Sequence, residues 1–327
     1  MDDLSTACRS GLVPVLALVC TLLGTTALGL AQAGAPARPA PVAVVGAQDE
    51  LPARYAATRR AVLAAQRAEE RSGAGEGGRT RRARALAALA APGRQLLAFD
   101  ARGRGLVSEV LGDLATARSV AVVVGGVGTD LDSFEDGTLL AAARALATDA
   151  GPAAAVVAWA DYVSPASLGP QALRDEAARV GGDRLRRFLG SLASAQRPVV
   201  LVCHSYGSPV CARALADGRA HGVSDVVDLA SPGVGDGRLP AGVRRWAALG
   251  EADPVRLVPR TSREVLGLRL GLGRDPLSLP GTRALPVPAR CDHDDYVAAG
   301  SPTRRALAAL LAAAPSSSAP PSRTLTR

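Results

Sequence analysis

Leu201-Val202-Cys203-His204-Ser205-Tyr206-Gly207-Ser208 sets a serine between an apolar run and a helical pattern. A strained strand-to-helix turn of this kind lifts a serine oxygen above a sheet, where it can attack an acyl carbon. Small residues two before and two after the serine let strand and helix approach closely. Gly207 fits that need, and Cys203 departs from it. The serine requires a base, and the chain holds three histidines, His204, His221 and His293. His204 lies inside the turn and is expected to point away from Ser205. His221 stands at the far end of the following helical stretch, roughly 20 Å away at about 1.5 Å per residue. His293 remains, between the last expected strand and the last expected helix. Its neighbours Asp292, Asp294 and Asp295 are also compatible with a solvated surface histidine, and they lack the separated ligands of a cation site. Asp253, in Gly250-Glu251-Ala252-Asp253-Pro254-Val255, is the favoured carboxylate to orient His293. Asp228, at the end of the preceding strand, is the alternative.

A tetrahedral oxyanion needs two backbone N–H groups. Tyr206, at the start of the helix after Ser205, is expected to supply one. Val127, in the loop Val124-Gly125-Gly126-Val127-Gly128-Thr129-Asp130, is expected to supply the other. Gly125 stands where a His-Gly-x-Gly loop carries its histidine. A phosphate-binding reading of these glycines fails, because no lysine follows and no acidic ribose partner is placed.

These residues must be positioned by a framework, and the hydrophobic pattern supplies one. Strands are expected at Leu106–Val110, Ser119–Val124, Ala154–Trp159, Pro198–Cys203, Asp225–Leu229, Arg244–Leu249 and Arg283–Val287, alternating with helical stretches at 138–149, 170–194, 208–219 and 301–314. Near-continuous apolar strands between helices indicate a mostly parallel sheet covered on both faces. Helical patterns at 54–72 and 80–91 precede it, split by a glycine-rich stretch. Residues 54–84 hold nine Arg against three Glu, which accounts for most of the net charge of +8. A solvated helix face is the plainer reading of that charge, and contact with an anionic cell surface the sharper one.

The remaining composition bounds the partners. The chain has 327 residues, 48% of them hydrophobic, enough for a sizeable core, and only 3% aromatic. All basic residues are Arg and there is no Lys, Asn or Ile, the vocabulary of a GC-rich genome, so the basic balance does not itself indicate nucleic acid. Few aromatics argue further against single-strand binding. At the N-terminus, Gly11 to Leu30 runs twenty residues without a charge and is followed by Ala31-Gln32-Ala33. This reads as a signal peptide, with an uncleaved anchor as the alternative. Cys203, Cys211 and Cys291 lie beyond the leader, so at least one thiol in the monomer is unpaired, and no C-x-x-C pair exists.

The chain resembles the uncharacterised α/β-hydrolases abundant in actinobacteria. The resemblance rests on Gln95-Leu96-Leu97-Ala98-Phe99-Asp100, the Gly125 loop with Thr129, Ala158-Trp159-Ala160-Asp161-Tyr162, and the Ser205 turn with Asp228-Leu229-Ala230-Ser231-Pro232-Gly233. His293, Asp295 and Tyr296 match its His-x-Asp-Tyr pattern, whereas Cys203 stands where its members generally carry Gly. The resemblance covers about residues 80–300 and implies a hydrolase with a triad, carried here onto Ser205, Asp253 and His293.

The expected organisation is a signal peptide or anchor at 1–35, a linker at 36–53, an Arg/Ala-rich helical region at 54–94, an α/β-hydrolase domain at 95–314 and a tail at 315–327. The short Ala230–Val243 connection leaves no room for a large lid. The expected function is a secreted or membrane-tethered serine hydrolase acting on a small-molecule or lipid ester, with no cofactor or metal and no nucleic-acid partner. A catalytically silent fold serving as a binding module at the cell envelope is the alternative.

Overall fold

The computed structural model describes residues 48–72, 80–167, 172, 175–193, 197–260, 263–265 and 268–313. The expected leader, most of the linker and the tail lie outside the described residues. Among those described, no helix is long and apolar enough to cross a membrane.

Eight strands form one sheet: β1 (Gln95–Asp100), β2 (Leu106–Leu111), β3 (Ser119–Val124), β4 (Ala154–Ala160), β5 (Val199–His204), β6 (Val223–Leu229), β7 (Arg244–Ala248) and β10 (Arg283–Ala284). Their order is β1-β2-β4-β3-β5-β6-β7-β10. The first two pairings are antiparallel, and every pairing from β4 to β10 is parallel. A short antiparallel pair, β8 (Arg263–Val265) and β9 (Leu268–Leu270), stands apart. The last strand is shorter than expected because Pro286 and Pro288 cannot donate to the ladder. The first strand was not among those expected.

Among the described residues there are six α-helices: α1 (Leu51–Arg71), α2 (Arg81–Leu89), α3 (Thr138–Ala150), α4 (Glu176–Ala193), α5 (Gly207–Ala214) and α6 (Pro302–Ala313). Alternation along each strand divides the core into two. Val122, Trp159, Leu201, Cys203 and Val226 face α4 and α5, where Trp159 stacks on Tyr162 with ring centroids 5.7 Å apart. Val123, Ala158, Val202, Val227 and Leu229 face α3 and α6. Both faces are therefore apolar, as a covered parallel sheet requires. Leu51 of α1 joins the first core and Val62 the second, so this helix straddles the sheet edge at β1 and shields an otherwise open row of backbone groups. Arg60, Arg67 and Arg71 on its outer side are exposed.

No helix interrupts residues 230–243 between β6 and β7, so no large lid is inserted at that connection. The longer excursion after β7 folds back on this connection, bridging Gly235 to Gly273.

Candidate active site

Ser205 follows β5 directly and precedes α5. Its φ of +53° lies in the left-handed region, which costs a non-glycine residue roughly 1–3 kcal/mol. The surroundings hold it there. The Ser205 N–H donates to Leu229 O at 2.9 Å, tying the turn to the end of β6. Gly207 passes so close to β3 that a Cβ would lie 2.5 Å from Val124 O. The expected requirement for a small residue two after the serine is thus met by contact with a neighbouring strand. Two before the serine, Cys203 is joined by a disulfide to Cys211 of α5, with Cα atoms 6.4 Å apart. The strand and helix of the turn are covalently pinned. Among the described residues, Cys291 is the free cysteine, and it is buried.

Asp253 follows β7 and caps a short 3₁₀ turn, Pro254–Leu257. Its side chain is fully buried yet well solvated by protein groups. Oδ1 accepts from the Val255 N–H at 2.8 Å and contacts His293 Nδ1 at 2.9 Å; Oδ2 accepts from the Tyr296 hydroxyl at 2.6 Å. Burial pushes the Asp253 carboxyl up, but the bonds from His293, Tyr296 and Val255 outweigh it and hold the group below its ordinary value. The same Asp253 bond raises His293 above its ordinary value, against the opposing effect of burial. Tyr296 also accepts from the Gly250 N–H at 2.8 Å, so one tyrosine ties both ends of the arrangement together.

Asp228 has different surroundings. It is buried on β6, and its nearest cation is Arg245 Nε at 3.7 Å, itself buried. Burial raises its pKa to about 6, partly offset by Arg245 and Ser208. It faces α4 and α5, since it pairs across the ladder with Cys203, which belongs to that core. Of the two carboxylates, only Asp253 bonds to a histidine. His221, at the far end, pairs with Asp217 at 3.0 Å.

His204 departs from expectation. It lines the same cavity as Ser205 and His293, and its Nε2–H donates to His293 O at 2.8 Å. The two imidazole rings are 5.0 Å apart. Burial lowers the His204 pKa, so its neutral form is favoured beside the partner ring. Nothing in the spacing signals this contact, because His293 reaches it through a loop almost ninety residues downstream.

The cavity occupies about 360 Å³, and Ser205, His204 and His293 are among its lining residues. Val127, the expected oxyanion donor, also lines it, and its N–H bonds to no backbone carbonyl or side chain among the described residues. Gly126 was not singled out from the sequence. A Cβ there would lie 2.8 Å from Ser205 Cβ, so this residue lets the glycine loop settle against the serine. Tyr206, the expected second donor, stands at the N-cap position of α5 without a side-chain capping bond. The acidic neighbours of His293 are engaged locally: Asp292 accepts from the His293 N–H at 2.7 Å, and Asp295 from the Asp292 N–H at 3.0 Å.

Strand order, helices on both faces and the turn after β5 together define an α/β-hydrolase fold. Residues 100–262 match a family model described as "Alpha/beta hydrolase". Ser205 and Asp253 fall inside the match and His293 beyond it. No curated protein matches. Solved structures similar to the chain include an α/β serine hydrolase without a lid, XC6422 from Xanthomonas campestris, at 18% identity, covering 68% of this chain and 93% of the other, with a TM-score of 0.38. A thermostable esterase from Pseudomonas putida is 13% identical, covering 76% and 94%, with a TM-score of 0.39. A structure from a study of two esterases of Rhizomucor miehei is 15% identical, covering 79% and 94%, with a TM-score of 0.40.

Proposed function

We propose that the protein is a serine hydrolase, secreted or tethered to the membrane, that cleaves a carboxylic ester or related acyl bond. The observation that carries this reading is Ser205, held at positive φ on the wall of a cavity that also receives His293, whose Nδ1 is fixed by buried Asp253. In the reaction, Ser205 Oγ bonds to the acyl carbon while His293 Nε2 takes its proton. The N–H groups of Val127 and Tyr206 hold the oxyanion. Collapse of the intermediate breaks the bond to the alcohol, which leaves with the proton from His293. Water, deprotonated by His293, then attacks the acyl-enzyme and releases the acid and free Ser205. Asp253 stays ionised and steadies the imidazolium.

The compartment rests on the leader and suits a disulfide between Cys203 and Cys211, since such bonds persist in oxidising surroundings. The silent binding-module reading drew on Cys203 as a defect in the turn. With Cys203 bonded to Cys211 and Ser205 still at positive φ, that support is lost. The test is labelling with a fluorophosphonate. Full-length protein should react at a single serine and Ser205→Ala should not; an unreactive native protein would overturn the reading.

A further inference from the structure

Resting on the reading of Ser205 as a nucleophile, we propose that the site is built for an unbranched, medium-length fatty acyl group, which lies in a slot between α3 and the sheet. Ser205 lines the cavity from the carboxyl end of β5, together with the polar groups His204, His293 and Asp294. Below it the wall changes character. Val123, Val202 and Leu229 line the slot from the sheet, and Leu139, Ala142 and Leu146 line it from α3. All six are buried, and all belong to the core on the α3 side. Asp294, at the mouth, is the one acidic or basic side chain apart from the histidines in the lining. Thr129, Ser133, Thr138 and Tyr296 add hydroxyls to the lining, but against the six apolar side chains a charged or sugar-like acyl group would lose its hydration and gain no partner, whereas a hydrocarbon loses nothing.

The depth follows from two separate rulers. Leu139 and Leu146 are seven residues apart on a helix, roughly 10 Å at its rise per residue. Val202 lies three strand positions before Ser205, again roughly 10 Å. Both give room for a chain of about eight carbons. Leu139, Ala142 and Leu146 share one stripe of α3 by their spacing of three and four, so Ala142 stands midway down the slot. It is the small residue of the three, and its missing bulk keeps the lower half open. Ala142 and Leu146 are therefore specificity-determining residues, Ala142 setting access and Leu146 the floor.

The experiment measures kcat/KM of the full chain on p-nitrophenyl esters from C2 to C16. The value should rise about threefold per added methylene until about C8, by burial of each methylene, and fall by C12 and beyond. Ala142→Leu should lower the C8-to-C2 ratio by tenfold or more. Leu146→Ala should move the optimum toward C10–C12, which guards against a variant that merely misfolds. A flat profile from an enzyme that labels at Ser205, or unchanged ratios in both folded variants, would overturn the inference and leave the hydrolase reading standing. Calorimetry with octanoate on Ser205→Ala separates the converse case. Octanoate binding that Ala142→Leu abolishes supports the slot even where no ester is turned over, and octanoate binding no tighter than acetate counts against it.

Discussion

Two aspartates at the carboxyl ends of neighbouring strands have the same chemistry and are shifted in opposite directions. Asp228 and Asp253 are both buried, and both lie where the sequence admits an orienter for a histidine. Asp253 receives a backbone N–H, a tyrosine hydroxyl and an imidazole, and its carboxyl stays below the ordinary range. Asp228 has an arginine at 3.7 Å and a carboxyl pushed up to about 6. Burial alone does not make a carboxylate a catalytic partner. What separates the two is the number of donors that replace water.

The sharpest way to break this comparison is Asp253→Asn. An amide offers its NH₂ to Nδ1 and favours the wrong imidazole tautomer, so acylation should slow by about 10³–10⁴. Single-turnover kinetics would show it. The pH profile should change with it. Asp253 raises His293, so the protonated, inactive imidazole persists to higher pH, and the acid limb of kcat/KM should lie above the ordinary value of about 6.5. In the variant that limb should move to lower pH, and a limb that stayed in place would detach Asp253 from the histidine.

His204→Phe comes next. It keeps a ring beside His293 but removes the donor to the His293 carbonyl, loosening the loop that carries the base. A displacement of this kind costs up to roughly 10²-fold in kcat. Tyr296→Phe should cost about tenfold, the worth of one bond to a charged group. Equal kcat in all three variants and the native enzyme would make the network irrelevant. Asp228→Asn should have the smallest effect on rate, within about threefold, and a different signature. A carboxyl raised to about 6 on folding contributes most below its unfolded value of about 3.9, and that contribution is lost as pH rises to about 6. The melting temperature of native protein relative to the Asn variant should therefore fall over that window, whatever the other carboxylates do in both.

Legibility in the sequence followed physical range. The central parallel strands β3, β4 and β5 stood out because each is an apolar run buried on both faces. The strand β1 did not, since it lies at the sheet edge under α1 and four of its six residues are only half-buried. Ser205 was legible because its strain is local and written in five adjacent residues. His293 emerged by elimination among three histidines, whereas Asp253 was only favoured over Asp228, because the donors that separate the two come from residues distant in sequence. The His204 contact was misread because the loop that meets it comes from the other end of the domain. The cavity under Ser205 was invisible for a related reason: it exists between α3 and three strands, and no single segment encodes a space. Cys203 was read as an intruder in a tight turn, because a strand-to-helix reversal brings residues eight apart together and no short motif marks that pairing.

That disulfide also bears on the order of events during folding. Cys211 is eight residues from Cys203, whereas Cys291 is about eighty further along the chain. Closing the shorter loop is favoured by about 2 kcal/mol in chain entropy, so the native pair is the one an extended chain finds first. Cys291 is then withdrawn from exchange, because burial, with Asp295 and Asp253 nearby, pushes its thiol up to about 11 and leaves little thiolate to attack a neighbouring bond. Oxidation can therefore precede assembly of the sheet, guided by loop length alone, and the folded domain then protects the finished pair from exchange. The turn that later presents Ser205 would already be closed when β3 and β6 arrive on either side of it.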